Sequence, residues 1–98
     1  DKTQKLNIDS KTIDVLFVPG HSPGHVAFFE PQSKTLFGGD VLFKQGIGRT
    51  DLEGGNYNQL IDSIKNKFLI LPDETKVYPG HGLHTSISLE KTNNPFIF

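Results

Sequence analysis

The sequence predicts an α/β (α+β) fold in which short strands form one mixed sheet beside two helices. Three apolar segments, residues 13–18, 35–37 and 76–78, each stop at a break that contains Gly, as buried strands do. Residues 57–68 instead repeat apolar side chains at helical spacing. The order of strands, helix, strand and helix, without repeats or a linker, indicates a single domain over residues 1–98.

The strands are expected in the first part of the chain. A short edge strand at residues 6–8 precedes the strand 13–18, which stops at Pro-Gly. Residues 25–29 and 35–37 are expected to form a hairpin, because the turn-forming sequence Pro-Gln-Ser-Lys joins them.

A long connection and two helices follow. Residues 38–55 are rich in Gly and have no periodicity, which is typical of a functional loop. Asn56 is the expected N-cap of the helix 57–68. Thr85 is the expected cap of a second helix, of about two turns, that ends at Lys91.

Composition excludes several classes of function. The charges nearly balance, with 10 Lys and Arg against 11 Asp and Glu, so we expect no nucleic-acid or membrane partner. No apolar run approaches the roughly 20 residues that span a bilayer. The chain has no Cys, which excludes disulfides, thiolate ligands and a cysteine nucleophile. No targeting segment is visible, so the cytoplasm is the default compartment.

Three residues of metal-binding type share one local pattern. His21, Asp40 and His81 each follow an apolar strand and a break that contains Gly. If the strands run the same way in one sheet, these side chains meet at one edge, where open α/β sheets build their sites. Two imidazoles and a carboxylate suit zinc or non-haem iron, and a carboxylate can bridge two metals. Each residue alone would be an ordinary turn residue, but the three together favour a metal site.

Two further histidines lie close to these positions in the sequence. His25 follows His21 by four residues, but the intervening Pro-Gly prevents the helix that would bring both to one face. We expect His25 to support the site through hydrogen bonds that orient its ring, without binding metal. We expect His84, three residues after His81 in a loop, to be exposed rather than a ligand.

Several motifs together resemble the second half of metallo-β-lactamase-fold hydrolases. In order along the chain these are His21-Ser-Pro-Gly-His25, Phe37-Gly-Gly-Asp40, Gly46-Ile-Gly-Arg-Thr-Asp51 and Tyr78-Pro-Gly-His-Gly82. The glyoxalase II-like branch, the hydroxyacylglutathione hydrolases and their small bacterial relatives, is the most similar. The resemblance covers nearly the whole chain from Ile13 onward.

The resemblance implies a fold and a chemistry. The fold is the C-terminal half of an αββα sandwich, a partial domain with two helices on one face of its sheet. His21 is then a ligand of the first metal, His81 of the second, and Asp40 bridges the two. The expected ions are two zincs, which activate a hydroxide that attacks a thioester such as S-lactoylglutathione. Arg49 contacts a substrate carboxylate or, equally, pairs with Asp51 and merely folds the loop.

The chain departs from the family pattern at one large point. The first half of the family carries a His-x-His-x-Asp-His motif, which supplies two ligands for each metal, and this sequence has none. Each metal would keep two protein ligands, fewer than a catalytic zinc needs, so the isolated chain should bind metal weakly and be inactive. The sheet face turned to the absent half should expose apolar residues, among them Val15, Phe17, Phe28 and Leu36. We therefore expect a homodimer that covers this face.

Two other functions fit the same residues. An iron-dependent persulfide dioxygenase of the same fold shares the Gly-x-Gly-Arg-Thr-Asp loop and uses one iron held by two His and a carboxylate. A non-catalytic interaction module could also keep the fold without the activity. Metal content separates the two enzymes, since two zincs favour the hydrolase and one iron favours the dioxygenase.

Overall fold

The structure is a computed structural model that describes residues 4–8, 11–22, 24–51 and 53–97; Pro23, within the first motif, lies outside them. The strands are β1 (Gln4–Ile8), β2 (Lys11–Phe17), β3 (Val26–Glu30), β4 (Thr35–Gly39), β5 (Leu42–Phe43), β6 (Gly46–Ile47), β7 (Lys76–Pro79) and β8 (Thr85–Ser86). The helices are α1 (Tyr57–Ser63), which continues as a π-helical segment (Ile64–Phe68), and α2 (Ile87–Asn93). Within the described part of the chain, no helix is long and apolar enough to cross a bilayer.

Six strands form a mixed sheet in the order β1-β2-β3-β4-β7-β8. β4 and β7 are parallel, and the other neighbours are antiparallel. Since β3 lies antiparallel to both β2 and β4, the strands β2, β4 and β7 all run the same way. These are the three strands that precede His21, Asp40 and His81, so the condition for their convergence is met.

The pairing of β4 with β7 contains a bulge. Phe37 pairs with Tyr78 and Gly39 pairs with Pro79, so Gly38 is an extra residue on β4. A bulge of this kind changes the direction in which the following side chains point. It lies immediately before Asp40, and Gly80 N–H donates to Gly39 O at 3.0 Å to hold the two strand ends together.

The hydrophobic core lies between the helices and one face of the sheet. Its sheet residues and its helix residues belong to one buried cluster, which confirms that both helices pack on one face: Leu16, Ala27, Phe29, Leu36 and Val77 with Leu60, Ile64, Phe68 and Ile87. The opposite face carries Val15, Phe28, Phe37 and Tyr78 in register across four strands. Val15 was expected to be exposed there, which is wrong, since it is only 8% exposed. Leu36 was expected on this second face, which is wrong: it is fully buried under the helices, because it pairs with Phe29 and Val77.

The helix caps correct one expectation and confirm another. Asn56 caps α1 as predicted, because its Oδ1 accepts from Gln59 N–H at 2.9 Å. Thr85 was expected to cap the second helix, but Thr85 pairs with Val77 in β8. Ser86 is the cap, since its Oγ accepts from Leu89 N–H at 3.2 Å. The predicted loop 38–55 is also not wholly irregular, because β5 and β6 form a two-stranded ribbon within it.

Candidate metal centre

His21, Asp40 and His81 meet at one edge of the sheet. His21 Nε2 lies 3.9 Å from Asp40 Oδ2, and His81 Nδ1 lies 3.3 Å from Asp40 Oδ1. The two imidazoles therefore face different oxygens of one carboxylate, an arrangement compatible with a carboxylate that bridges two metal ions. The site is open, with the side chains of Asp40 and His81 exposed by 43% and 78%.

A backbone carbonyl selects the tautomer of His21. His21 Nδ1 lies 2.8 Å from the carbonyl oxygen of Arg49. Because a carbonyl oxygen only accepts, Nδ1 must carry the proton and donate. The neutral ring then keeps its lone pair on Nε2, the nitrogen that faces Asp40. Histidine ligands in proteins are commonly oriented in this way.

Two glycines let the backbone come close to Asp40. A Cβ at Gly80 would lie 2.6 Å from Asp40 Oδ1, and a Cβ at Gly48 would collide with the carbonyl oxygen of Asp40. Gly48 N–H also donates to Val41 O at 2.9 Å, which fixes the loop against the end of β4. The sequence marked these glycines only as turn formers, whereas their structural role is the missing side chain.

The three residues line a cleft of about 360 Å³. Its other walls come from the β5–β6 ribbon and the segment after it, namely Phe43, Ile47, Gly48 and Arg49. The Phe43 ring packs on the His81 ring with centroids 4.9 Å apart and planes at 43°. Sequence patterns did not reveal this wall, because two-residue strands are too short to show a period.

Arg49 lines the cleft, and its side chain forms the pair with Asp51 that was the alternative to a substrate contact. Its Nε and Nη2 donate to the two carboxylate oxygens of Asp51 at 2.8 and 3.0 Å. Hydrogen bonds from the Arg49 guanidinium lower the pKa of Asp51 to about 2, and the same pair raises the pKa of Arg49. Both side chains are largely exposed, so the pair orients the guanidinium more than it stabilises the fold.

His25 lies against His21 but is oriented differently from the expectation. Its ring meets that of His21 edge-on, with centroids 5.8 Å apart. Its Nε2 is buried and has no hydrogen-bond partner among the described residues, so hydrogen bonds at this atom do not orient the ring. Packing does so, because a Cβ at Gly39 would lie only 2.5 Å from that nitrogen. His84 is exposed and stacks on Tyr78 at 5.7 Å, outside the cleft lining.

The donor atoms fit part of a metal site. Nitrogen and carboxylate oxygen suit zinc or iron, and each imidazole has an Asp40 oxygen beside it. Across the described ranges, however, no three His, Asp or Glu side chains are grouped closely enough to hold one ion. The residues present thus offer two ligands to each of two neighbouring positions.

The sequence also matches a family model. The metallo-beta-lactamase superfamily model aligns with residues 8–81, three quarters of the chain. This chain belongs to the metallo-beta-lactamase superfamily. The strand ends that converge on Asp40 all fall within the matched residues, and the superfamily implies binding of divalent metal ions.

Individual members of the superfamily are similar over almost the whole chain. A curated relative, the hydroxyacylglutathione hydrolase GloC of Haemophilus influenzae, is 48% identical over 92 residues, which is 94% of this chain and 43% of that protein. Among solved structures, the BLEG-1 B3 metallo-beta-lactamase has a TM-score of 0.93 and 47% identity, covering 99% of this chain and 46% of its own.

Two further solved structures are similar to this chain, one of them in a metal-bound form. TTHA1623 in a di-iron-bound form has a TM-score of 0.83 and 50% identity, covering 86% of this chain and 42% of its own. ETHE1 from Myxococcus xanthus has a TM-score of 0.87 and 38% identity, covering 94% of this chain and 42% of its own. This superfamily member therefore spans less than half the length of the relatives that it matches.

Proposed function

We propose that this chain supplies His21, Asp40 and His81 to the two-metal site of a hydrolase that cleaves thioesters. The observation that carries the proposal is the placement of two imidazoles on different oxygens of the Asp40 carboxylate. In this arrangement His21 Nε2 and His81 Nδ1 would each hold one ion, and Asp40 would bridge them. Zinc is the first choice for such donors.

Metal ions bound there would supply an activated water and polarise the thioester carbonyl. The chain's own contribution is to present the ligands: the Arg49 carbonyl keeps the proton of His21 on Nδ1, and Phe43 supports the ring of His81. A catalytic zinc normally needs three protein ligands, and each position has two here. We infer that the remaining ligands come from residues outside this chain and that the chain alone is inactive.

Arg49 is the residue that we assign to the substrate. Arg49 lines the cleft, and its guanidinium is paired with Asp51 by two hydrogen bonds. A substrate carboxylate offers the same bidentate acceptor as Asp51, so it can share or replace that pair. Glutathione thioesters carry such carboxylates, and a relative is named a hydroxyacylglutathione hydrolase. S-lactoylglutathione is therefore the substrate that we propose to test first.

A second candidate is an iron-dependent persulfide dioxygenase. The observation that favours it is the Gly46-Ile-Gly-Arg-Thr-Asp51 loop, which such enzymes share. The 50% identical structure of TTHA1623, a di-iron-bound form, supports iron as the element, but its two ions match a two-metal site. The same histidine and carboxylate donors suit iron. Metal analysis decides between the two candidates, since the hydrolase is expected with two zincs and the dioxygenase with one iron.

A hybrid enzyme tests the proposal. The 92-residue segment of the Haemophilus influenzae hydrolase that matches this chain would be replaced by this chain, so that the rest of that protein provides the missing ligands. We expect the hybrid to bind two zincs and hydrolyse S-lactoylglutathione. His21→Ala, Asp40→Ala and His81→Ala should each lower kcat/KM by about a hundredfold or more, because a lost ligand costs at least as much as a lost ligand-orienting group.

His84→Ala is the matched control, because His84 is an exposed histidine three residues from His81 that does not line the cleft. A folded hybrid without thioesterase activity would contradict the hydrolase, and persulfide oxidation with one iron would support the second candidate. A folded hybrid that binds no metal would support a non-catalytic module. Calorimetry on the 98-residue chain alone should show weak zinc binding; two tightly bound ions would contradict the shared site.

A further inference from the structure

A buried cluster of polar side chains lies at helix α2, with Glu90 in the helix, Asn94 at its C-cap and Thr85 in β8. Glu90, Asn94 and Thr85 are exposed by only 1%, 2% and 3%. A buried carboxylate is costly unless it is paired or hydrogen-bonded, so its partners show what the cluster holds in place. None of the three residues lines the metal-facing cleft.

The partners of Glu90 and Asn94 lie in the turn between β5 and β6. Glu90 Oε1 accepts from the backbone N–H of Gln45 at 2.8 Å and from Asn94 Nδ2 at 2.9 Å. Thr85 Oγ1 donates to Glu90 Oε2 at 2.5 Å. Asn94 Nδ2 also donates to Gly46 O at 3.0 Å, with a longer contact of 3.5 Å to Phe43 O. Helix α2 and its C-cap are thus bonded to three residues of the turn, namely Phe43, Gln45 and Gly46.

This turn needs support from outside. Gln45 has a φ of 59°, in the left-handed region that non-glycine residues rarely adopt. The bond from its N–H to Glu90 holds that conformation. At the start of the turn, the Phe43 ring packs on the ring of His81, whose side chain is 78% exposed and so has little other packing. Moving the turn would therefore remove one of the two contacts that the described residues make with the His81 ring and leave only the one to Asp40.

We propose that Glu90 and Asn94 are positioning residues for the metal site: by fixing the β5–β6 turn, they place Phe43 against His81. The proposal rests on the proposed function only in treating His81 as a ligand. The geometry itself is independent of any metal. Outer residues that orient a histidine ligand typically change metal affinity by one to two orders of magnitude.

The test is NMR of the 98-residue chain, with the two histidines His21 and His81 as internal references for each other. In the wild-type chain, we expect NOEs between the Phe43 and His81 rings. Glu90→Ala should abolish them and move the His81 ring protons towards random-coil shifts, while the His21–His25 NOEs remain. Zinc titration should then shift the His81 signals at about tenfold higher zinc, with the His21 response unchanged.

Two variants separate positioning from general destabilisation. Glu90→Gln keeps an oxygen, Oε1, that accepts from Gln45 N–H, and its Nε2 can donate to Thr85 Oγ1. The Phe43–His81 NOEs that Glu90→Ala abolishes should therefore be present in Glu90→Gln. Lys91→Ala is the matched control on the same helix, because Lys91 forms an exposed ion pair with Asp73 at 2.7 Å. It should change neither histidine.

Several outcomes would overturn the proposal. They are intact Phe43–His81 NOEs in Glu90→Ala, an equal effect of Lys91→Ala, or equal changes at His21 and His81. If Glu90→Ala does not fold, Asn94→Ala decides the question, because it removes the bonds to Gly46 O and Phe43 O and keeps the bond from Gln45 N–H to Glu90. It must reproduce the selective zinc effect at His81. A wild-type chain with the NOEs but without any zinc response at His81 would contradict the proposed function and leave the positioning geometry standing.

Discussion

Asp40 shows how individual residues determine the site. Its carboxylate can lie between two imidazoles only because the neighbouring backbone segments approach it closely. Gly80 provides one of these approaches, since a Cβ there would lie 2.6 Å from Asp40 Oδ1. Its φ is not in the left-handed region, so the requirement is space around the carboxylate and not backbone freedom.

Gly80→Ala should therefore displace the Asp40 carboxylate while the fold remains. We expect metal affinity of the hybrid hydrolase to fall by about tenfold to a hundredfold, the range found when ligand orientation is lost. Equilibrium dialysis against zinc measures the change. Gly24→Ala is the matched control, because Gly24 also follows a Pro and a Cβ there would meet nothing within 4 Å. Equal affinities of the two variants would contradict this role of Gly80.

Among the elements, helix α1 holds the segment that follows β2 and leads to His21. Asn56 makes two hydrogen bonds at the start of the helix. Its side chain accepts from Gln59 N–H as the N-cap, and its own N–H donates to Gly20 O at 2.7 Å. A Cβ at Gly20, whose φ is 130°, would overlap the backbone of Leu60 in the same helix. The break before His21 is thus packed directly on α1.

Asn56→Ala removes the cap but keeps the backbone bond to Gly20. We expect the free energy of unfolding to fall by about 1 kcal/mol, the usual effect of losing an N-cap side chain. Urea unfolding followed by circular dichroism measures it. Asn58→Ala, an exposed change in the first turn of the same helix, should be neutral or slightly stabilising, because Ala is the better helix former. A loss in Asn58→Ala as large as in Asn56→Ala would contradict the capping role.

The elements that could be predicted are those whose apolar residues recur at a regular spacing, and those without such a spacing were missed. The strands before His21, Asp40 and His81 are apolar runs that end at Gly, so their convergence could be predicted. The ribbon β5–β6 could not, since two residues per strand show no alternation. The continuation of α1 as a π-helix could not be predicted either. Its Leu69 N–H donates to Ile64 O five residues back, but the apolar residues of this segment are spaced as in an α-helix.

Single polar residues were the other limit of prediction. A lone Glu on a helix ordinarily faces solvent. Nothing near Glu90 in the sequence indicates that the N–H of Gln45, 45 residues earlier in the chain, will donate to it. The expected cap at Thr85 missed the actual cap by one residue. The hydroxyl of Thr85 was already used by Glu90, and that contact depends on tertiary structure.

The whole molecule has one covered and one open sheet face. The open face carries an exposed aromatic row: Phe37 and Tyr78 stack at 5.9 Å, Tyr78 stacks on His84 at 5.7 Å, and the first two are exposed by 51% and 41%. Relatives of this chain are more than twice as long, so the isolated chain lacks what their remaining residues provide. We propose that in isolation a second copy covers this face.

Light scattering at micromolar concentration should therefore give the mass of a dimer for the 98-residue chain. Phe37→Glu should give a monomer, because it puts a charge into the exposed aromatic row. Ile70→Glu is the matched control, since Ile70 is 73% exposed and lies after the π-helical segment, away from this face. A monomeric mass for the wild-type chain would show that no second copy binds.

The bulge at Gly38 has a consequence for how this protein tolerates change in length. In a strand, side chains alternate between two faces, so one residue more or fewer reverses every position after it. Gly38 is the extra residue in β4, so it determines on which side the Asp40 side chain lies relative to β7. Deleting it would turn Asp40 away from both histidines although every ligand is still encoded. The exposed turn at Glu53 and Gly54 has no such alternation to keep, so a one-residue insertion should be tolerated there and selected against within β4.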